Sequence, residues 1–399
     1  MIKIRFRSIK LMDLSIFFAI FITLAFHNYT AVLIIAQATC FLIMAIKKFK
    51  ARSIPKPQAK YHIWMVLFTL TCVMSYFQAI HPERVVSSIL SIIQVWLMGT
   101  AILLYNNTRE NSIKLLRFIS LGCYGIIARM VIQVPVNAWG TERVGNYLGY
   151  GNNGASTALI YVAIFMFYLF RISKDSKDRY YSIVTMVLCI LFSLLCGSKK
   201  AVIVAALGIG LQLAFSSKKP AQFVLRLLLA IGLGFGLYTA IMNVDILYNA
   251  LGRRIQYMLF AFSGSDGGDA STLDRIAFAR QAIEVFHNHP IFGVGLDNFR
   301  YYNFKQFYSH NNYLELATGL GVFGVIAYYW FPFSILKNSL IRRNNPSCLM
   351  IASFMLTILL MDIATVSYSI DSLQIYIAFA YSMLVLEIQE QKCEVEKHG

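Results

Sequence analysis

Apolar runs of roughly twenty residues, separated by short polar stretches, recur along nearly the whole chain. At about 1.5 Å of rise per residue, such a run crosses the roughly 30 Å hydrocarbon core of a bilayer as a helix. In hydrocarbon every backbone N–H and C=O must be paired within the protein, so only helices and closed barrels span it. The runs are continuous rather than alternating, which selects helices. The expected fold is therefore an all-α integral membrane protein of about twelve transmembrane helices. The candidate spans are 11–26, 28–46, 62–80, 85–105, 113–134, 155–170, 181–196, 201–215, 221–243, 313–336, 347–366 and 371–387.

Composition agrees. The 399 residues are 58% hydrophobic and 14% charged, against about 45–50% and 25% in soluble domains. That excludes an ordinary water-soluble enzyme and a disordered chain. The seven cysteines form no CxxC, and none lies in 244–310, which argues against a disulfide or zinc framework. The N-terminal MIKIRFRSIK precedes an apolar stretch with Asp13 near its start and no small-residue cleavage site, so it reads as an uncleaved first span.

The net charge of +17 does not point to nucleic acid, because the cations concentrate in alternate loops. With both termini cytoplasmic, 25 of the 36 Lys and Arg fall on the cytoplasmic side. The others are Arg84, Arg129, Arg143, Lys199, Lys200, Arg253, Arg254, Arg275, Arg280, Arg300 and Lys305. The same topology divides the chain into nine helices over 1–243, with an outer segment near 135–154, a large outer loop over 244–312, and three helices with a short cytoplasmic tail over 313–399. Arg129 falls inside a span, where a cation is costly and usually faces a protein interior or polar cavity. Lys199 and Lys200 share a turn at the outer boundary, where they could meet an anion or snorkel to headgroups. Gly232 and Gly236 have the spacing of close helix packing. Asp362 is an acidic residue within a span.

The loop 244–312 is long for a connection between spans. SGSDGGDAS (263–271) has linker composition. STLDRIAFARQAIEVFHNHP then reads as an amphipathic helix capped by Ser271 or Thr272 and ended by Pro290. It would lie near the membrane surface. Gly293-Val294-Gly295 does not complete a phosphate-binding GxGxxG and reads as a tight backbone turn. His310 then stands at the mouth of the tenth span, beside Asn311 and Asn312, where an imidazole can accept or orient a hydroxyl proton. His287 and His289 are weaker candidates.

Segment 271–324 resembles the signature region of the O-antigen ligase and polysaccharide polymerase superfamily, integral membrane glycosyltransferases of bacterial envelopes. The matching residues are Arg275, His289-Pro290, Gly293-Val294-Gly295, Asn298-Phe299 and Ser309-His310-Asn311-Asn312-Tyr313-Leu314-Glu315, followed by Gly319, Gly321 and Gly324. ERVGNYLGYGNNGAS (142–156) is similar to the family's outer Arg segment. CGSKKA (196–201) is similar to its Ser-Arg-Gly turn, with lysine in place of the guanidinium.

The resemblance implies transfer of a glycan from undecaprenyl diphosphate on the outer face of the bacterial cytoplasmic membrane, without a metal or other cofactor. The acceptor is a growing lipid-linked chain for a polymerase or lipid A–core for a ligase. A flippase and a chain-length regulator are the expected partners. The polymerase is the preferred reading, the ligase the alternative, and a lipid-linked oligosaccharide transporter the competing class. His310 and Arg275 are the expected catalytic residues. Arg143, Lys199, Lys200 and Arg280 are expected at the diphosphate, where cations stabilise the charge growing on the leaving group. One base and no covalent nucleophile would invert the anomeric centre.

Overall fold

The computed structural model describes residues 10–50, 58–139, 141–142, 144–149, 151–217, 219–263 and 270–398, and among them there is no strand. The first half contains α1 (Leu11–Ala25), α2 (Thr30–Lys50), α3 (Ala59–Ser75), α4 (Pro82–Tyr105), α5 (Arg109–Gln133), α6 (Gly151–Ile172), α7 (Ser176–Leu195) and α8 (Lys199–Ala214). Then come α9 (Pro220–Asn243), the short α10 (Asp245–Leu247), α11 (Arg253–Ser263) and α12 (Ala270–Asn288). The chain closes with α13 (Asn312–Ile341), α14 (Pro346–Met361) and α15 (Asp371–His398).

Each of the twelve apolar runs is a helix, and among the described residues eight helices are long and apolar enough to cross a membrane. Leu11–Ala25 and Pro346–Met361 are apolar but shorter. Helix starts follow local chemistry. Pro346 opens α14, and the Asn345 side chain accepts from the N–H groups of Ser347 (2.8 Å) and Cys348 (3.3 Å). The Thr108 hydroxyl accepts from Asn111 N–H at 3.2 Å to start α5.

Helices α6 and α15 form the centre of the bundle, with Phe165, Tyr376 and Phe379 fully enclosed. Helix α9 packs on α8 and buries only Ile241. A Cβ at Gly232, Gly234 or Gly236 would meet nothing within 4 Å, so the close packing expected of this glycine spacing is not made among the described residues.

The feature that positions the site is a break in α13. Gly321 has φ 67° and ψ −165°, and segment 290–295 docks there by its backbone. Val294 N–H donates to Thr318 O (2.8 Å), Gly295 N–H to Gly319 O (3.0 Å) and Val322 N–H to Pro290 O (2.8 Å). Gly293 and Gly321 both adopt positive φ, and a Cβ on either would overlap the facing backbone. The Gly-Val-Gly turn is thus a clasp between backbones, which fixes where the loop ending at His310 leaves the helix.

Candidate functional site

His310 sits in a turn held from four sides. The Asn311 side chain accepts from Leu314 N–H at 3.1 Å and caps α13. The Ser309 hydroxyl donates to Asn311 O (2.8 Å), and Ser309 N–H donates to buried Glu315 at 2.7 Å. Asn312 N–H donates to Asp362 O at 2.7 Å. His310 itself has φ 59°, a left-handed conformation uncommon outside glycine and one that clusters at functional sites. Its ring lies beside those of Tyr308 (4.3 Å between centroids), Phe307 and Phe278.

The imidazole lines a cavity of about 740 Å³. Lys200, Arg275 and Arg300 line the same cavity, as do Asp297, Glu315, His27 and Asp371. Lys200 comes from the first turn of α8 and donates to the Thr365 hydroxyl at 2.6 Å. Arg275 comes from α12. Burial, with the positive charges of Arg275 and Lys200 beside it, lowers the His310 pKa to about 4; Asp274 opposes this weakly. The imidazole is therefore neutral at pH 7, with a lone pair to offer. Burial pushes the neighbouring Tyr308 phenol up.

Of the residues expected from sequence, His310, Arg275 and Lys200 converge here. Lys199 does not line the cavity; its ammonium reaches the Thr272 hydroxyl at 3.4 Å. Arg280 is exposed and also stands outside the lining, because five residues along α12 carry it to another face. Arg143 lies outside the described residues. Exposed His287 and His289 are not in the lining either. The expected helix 272–290 is α12, which begins at Ala270, before either proposed cap.

Arg300 was not singled out by sequence. It is bound to Asp297, whose other oxygen lies 3.6 Å from Arg84. Its signal was its membership of the outer cations. Asp362 accepts from the Tyr329 hydroxyl at 2.7 Å, in the segment that also carries Thr365. Arg129 is buried, donates to the carbonyls of Ala25 and Leu148, and so braces the α1–α2 turn rather than lining the cavity. Among the described residues no group of three or more His, Cys, Asp or Glu is arranged to hold a metal ion.

Residues 184–329 match the family model described as O-antigen ligase. This segment is thus similar to the O-antigen ligase family. No curated protein matches the chain. The matched segment contains Lys200, Arg275, Arg300 and His310, and also the backbone clasp. Among the described residues eight helices are long and apolar enough to cross a membrane, in keeping with that likeness.

Proposed function

We propose that this protein is a polysaccharide repeat-unit polymerase acting on the outer face of the cytoplasmic membrane. It transfers a glycan from undecaprenyl diphosphate to a lipid-linked acceptor chain. The observation that carries the proposal is the convergence of Lys200, Arg275 and Arg300 with His310 on one cavity.

The diphosphate binds against Lys200 and Arg275, with Arg300 contributing through its Asp297-paired guanidinium. As the anomeric C–O bond breaks, its electron pair goes to the leaving diphosphate, and the fixed cations stabilise the charge more in the transition state than before it. The acceptor hydroxyl attacks from the other face and its proton passes to the His310 imidazole. The cations that add to burial in lowering the His310 pKa are offset once two phosphates lie between them, so His310 becomes a stronger base when the donor is bound. A single displacement inverts the anomeric configuration.

The test uses purified protein, its lipid-linked repeat unit and, in parallel, a lipid A–core acceptor. Elongation ladders that vanish in His310→Ala, while the protein stays folded in the membrane, support the polymerase. Transfer only to lipid A–core would make it a ligase. Movement of the lipid across liposomes without lengthening would make it a transporter. Retention of configuration would remove the single-displacement mechanism.

A further inference from the structure

The cavity has a second wall whose chemistry the phosphate-binding residues do not use. It is built by the α1–α2 turn and the start of α15, elements that carry neither His310 nor its flanking cations. There His27 Nδ1 lies 3.6 Å from an oxygen of Asp371. The Asp371 side chain is only 12% exposed and that of His27 40% exposed, so the carboxylate backs the ring while the ring faces the opening. Asn153, Thr157 and Ser369 add amide and hydroxyl groups to the lining. The cations that line the cavity are Lys200, Arg275 and Arg300, from α8, α12 and the loop before α13, and none comes from α1, α2 or α15.

The turn itself is held rigidly. Arg129 donates to Ala25 O, to Asn28 Oδ1 (3.3 Å) and to Leu148 O (3.3 Å), and lies 5.2 Å over the Phe26 ring. A buried guanidinium donating to backbone carbonyls around one half-buried histidine is a positioning device.

We propose that the His27–Asp371 wall is a sugar subsite that takes an uncharged, hydroxyl-bearing residue of the glycan. A carboxylate with an adjacent imidazole accepts and donates hydrogen bonds to neighbouring hydroxyls. The same carboxylate disfavours a uronic acid, and the permanent cations of the lining, Lys200, Arg275 and Arg300, belong to other elements. The subsite rests on reading the chain as a lipid-linked glycan transferase, because it takes the occupant of the cavity to be a glycan. It assigns one wall to phosphate charge and the other to sugar recognition.

The probe is the oligosaccharide released by mild acid from the lipid-linked repeat units that accumulate in cells lacking this protein. Direct binding of this free glycan is measured for wild type, His27→Gln, Asp371→Asn and His310→Ala, with thermal unfolding as the folding control. Steady-state elongation is measured for the first three. Binding by wild type and His310→Ala alike is expected, with roughly tenfold weaker binding in His27→Gln and Asp371→Asn, the size of one lost hydrogen bond to a charged group. In elongation the same two variants raise KM by about that factor and change kcat less. If wild type elongates while folded His27→Gln binds and elongates as wild type does, the subsite is overturned. Failure of wild type to bind the free glycan overturns it as well, and so does a repeat unit composed only of uronic acids. If wild type binds the glycan through His27 yet never elongates it, the polymerase reading falls and the subsite stands.

Discussion

Replacing Asn312 with alanine tests how the turn that carries His310 is tied to the rest of the cavity. This side chain is fully buried. Its oxygen accepts from Ser367 N–H (2.9 Å) and Tyr368 N–H (3.2 Å). Its nitrogen donates to the Tyr329 hydroxyl at 2.8 Å and approaches Asp362 at 3.4 Å. Alanine leaves the two backbone N–H groups without their acceptor, whereas Tyr329 keeps its bond to Asp362. An orphaned buried donor costs about 1–3 kcal/mol, so two give roughly 2–6 kcal/mol, with relaxation favouring the lower half. Asn312→Asp keeps the acceptor but loses the donor and sets a second carboxylate beside Asp362, so it does not rescue. Denaturant unfolding in mild detergent reads the stability, and the elongation ladder reads the consequence at Lys200, whose partner Thr365 lies in the same strap. A loss below about 0.5 kcal/mol, the range of an ordinary surface change, would refute the idea that this amide holds the 362–368 segment.

Arg275→Ala should lower elongation by about a hundredfold or more, and Arg275→Lys should recover part of it, since point charge survives but bidentate geometry does not; equal activity in the two variants would argue against a charge role. Gly321→Ala should destabilise the protein by more than about 2 kcal/mol, because an alanine in this glycine-only backbone conformation already costs about 1–3 kcal/mol before its overlap with the Ile291 carbonyl, as read by thermal unfolding. His310 has a folded pKa of about 4, below its ordinary 6.5. The unfolded chain therefore binds more protons in that window, and stability is lost as pH falls from 6.5 toward 4. His310→Gln should flatten that part of the stability profile, and an unchanged slope would contradict the burial of the ring among cations.

Part of the site was legible because it is local. The Ser-His-Asn-Asn string carries its own cap, and Asn311 does cap α13. Other parts were not. Lys199 and Lys200 are neighbours in sequence, yet successive side chains on a helix point about 100° apart, so only one can face a given cavity. Which one does depends on the rotation of α8 against α6 and α14. Arg275 and Arg280 divide for the same reason. Gly293 and Gly321 could be read as turn-formers, but not as partners in a clasp.

Hydropathy by itself determined that the chain is a helical membrane protein, since a bilayer admits continuous apolar runs only as helices with their backbone bonds closed inside them. It also determined which residue types stand in the loops between those runs. Only the tertiary structure decided that Lys200, Arg275 and His310 share one cavity, that Lys199 and Arg280 stand apart, and that His27 meets Asp371 from the far end of the chain. The physical reason is that a helix satisfies its own backbone from nearby residues, whereas a site is assembled by how helices rotate and pack against one another, through contacts between side chains far apart in sequence.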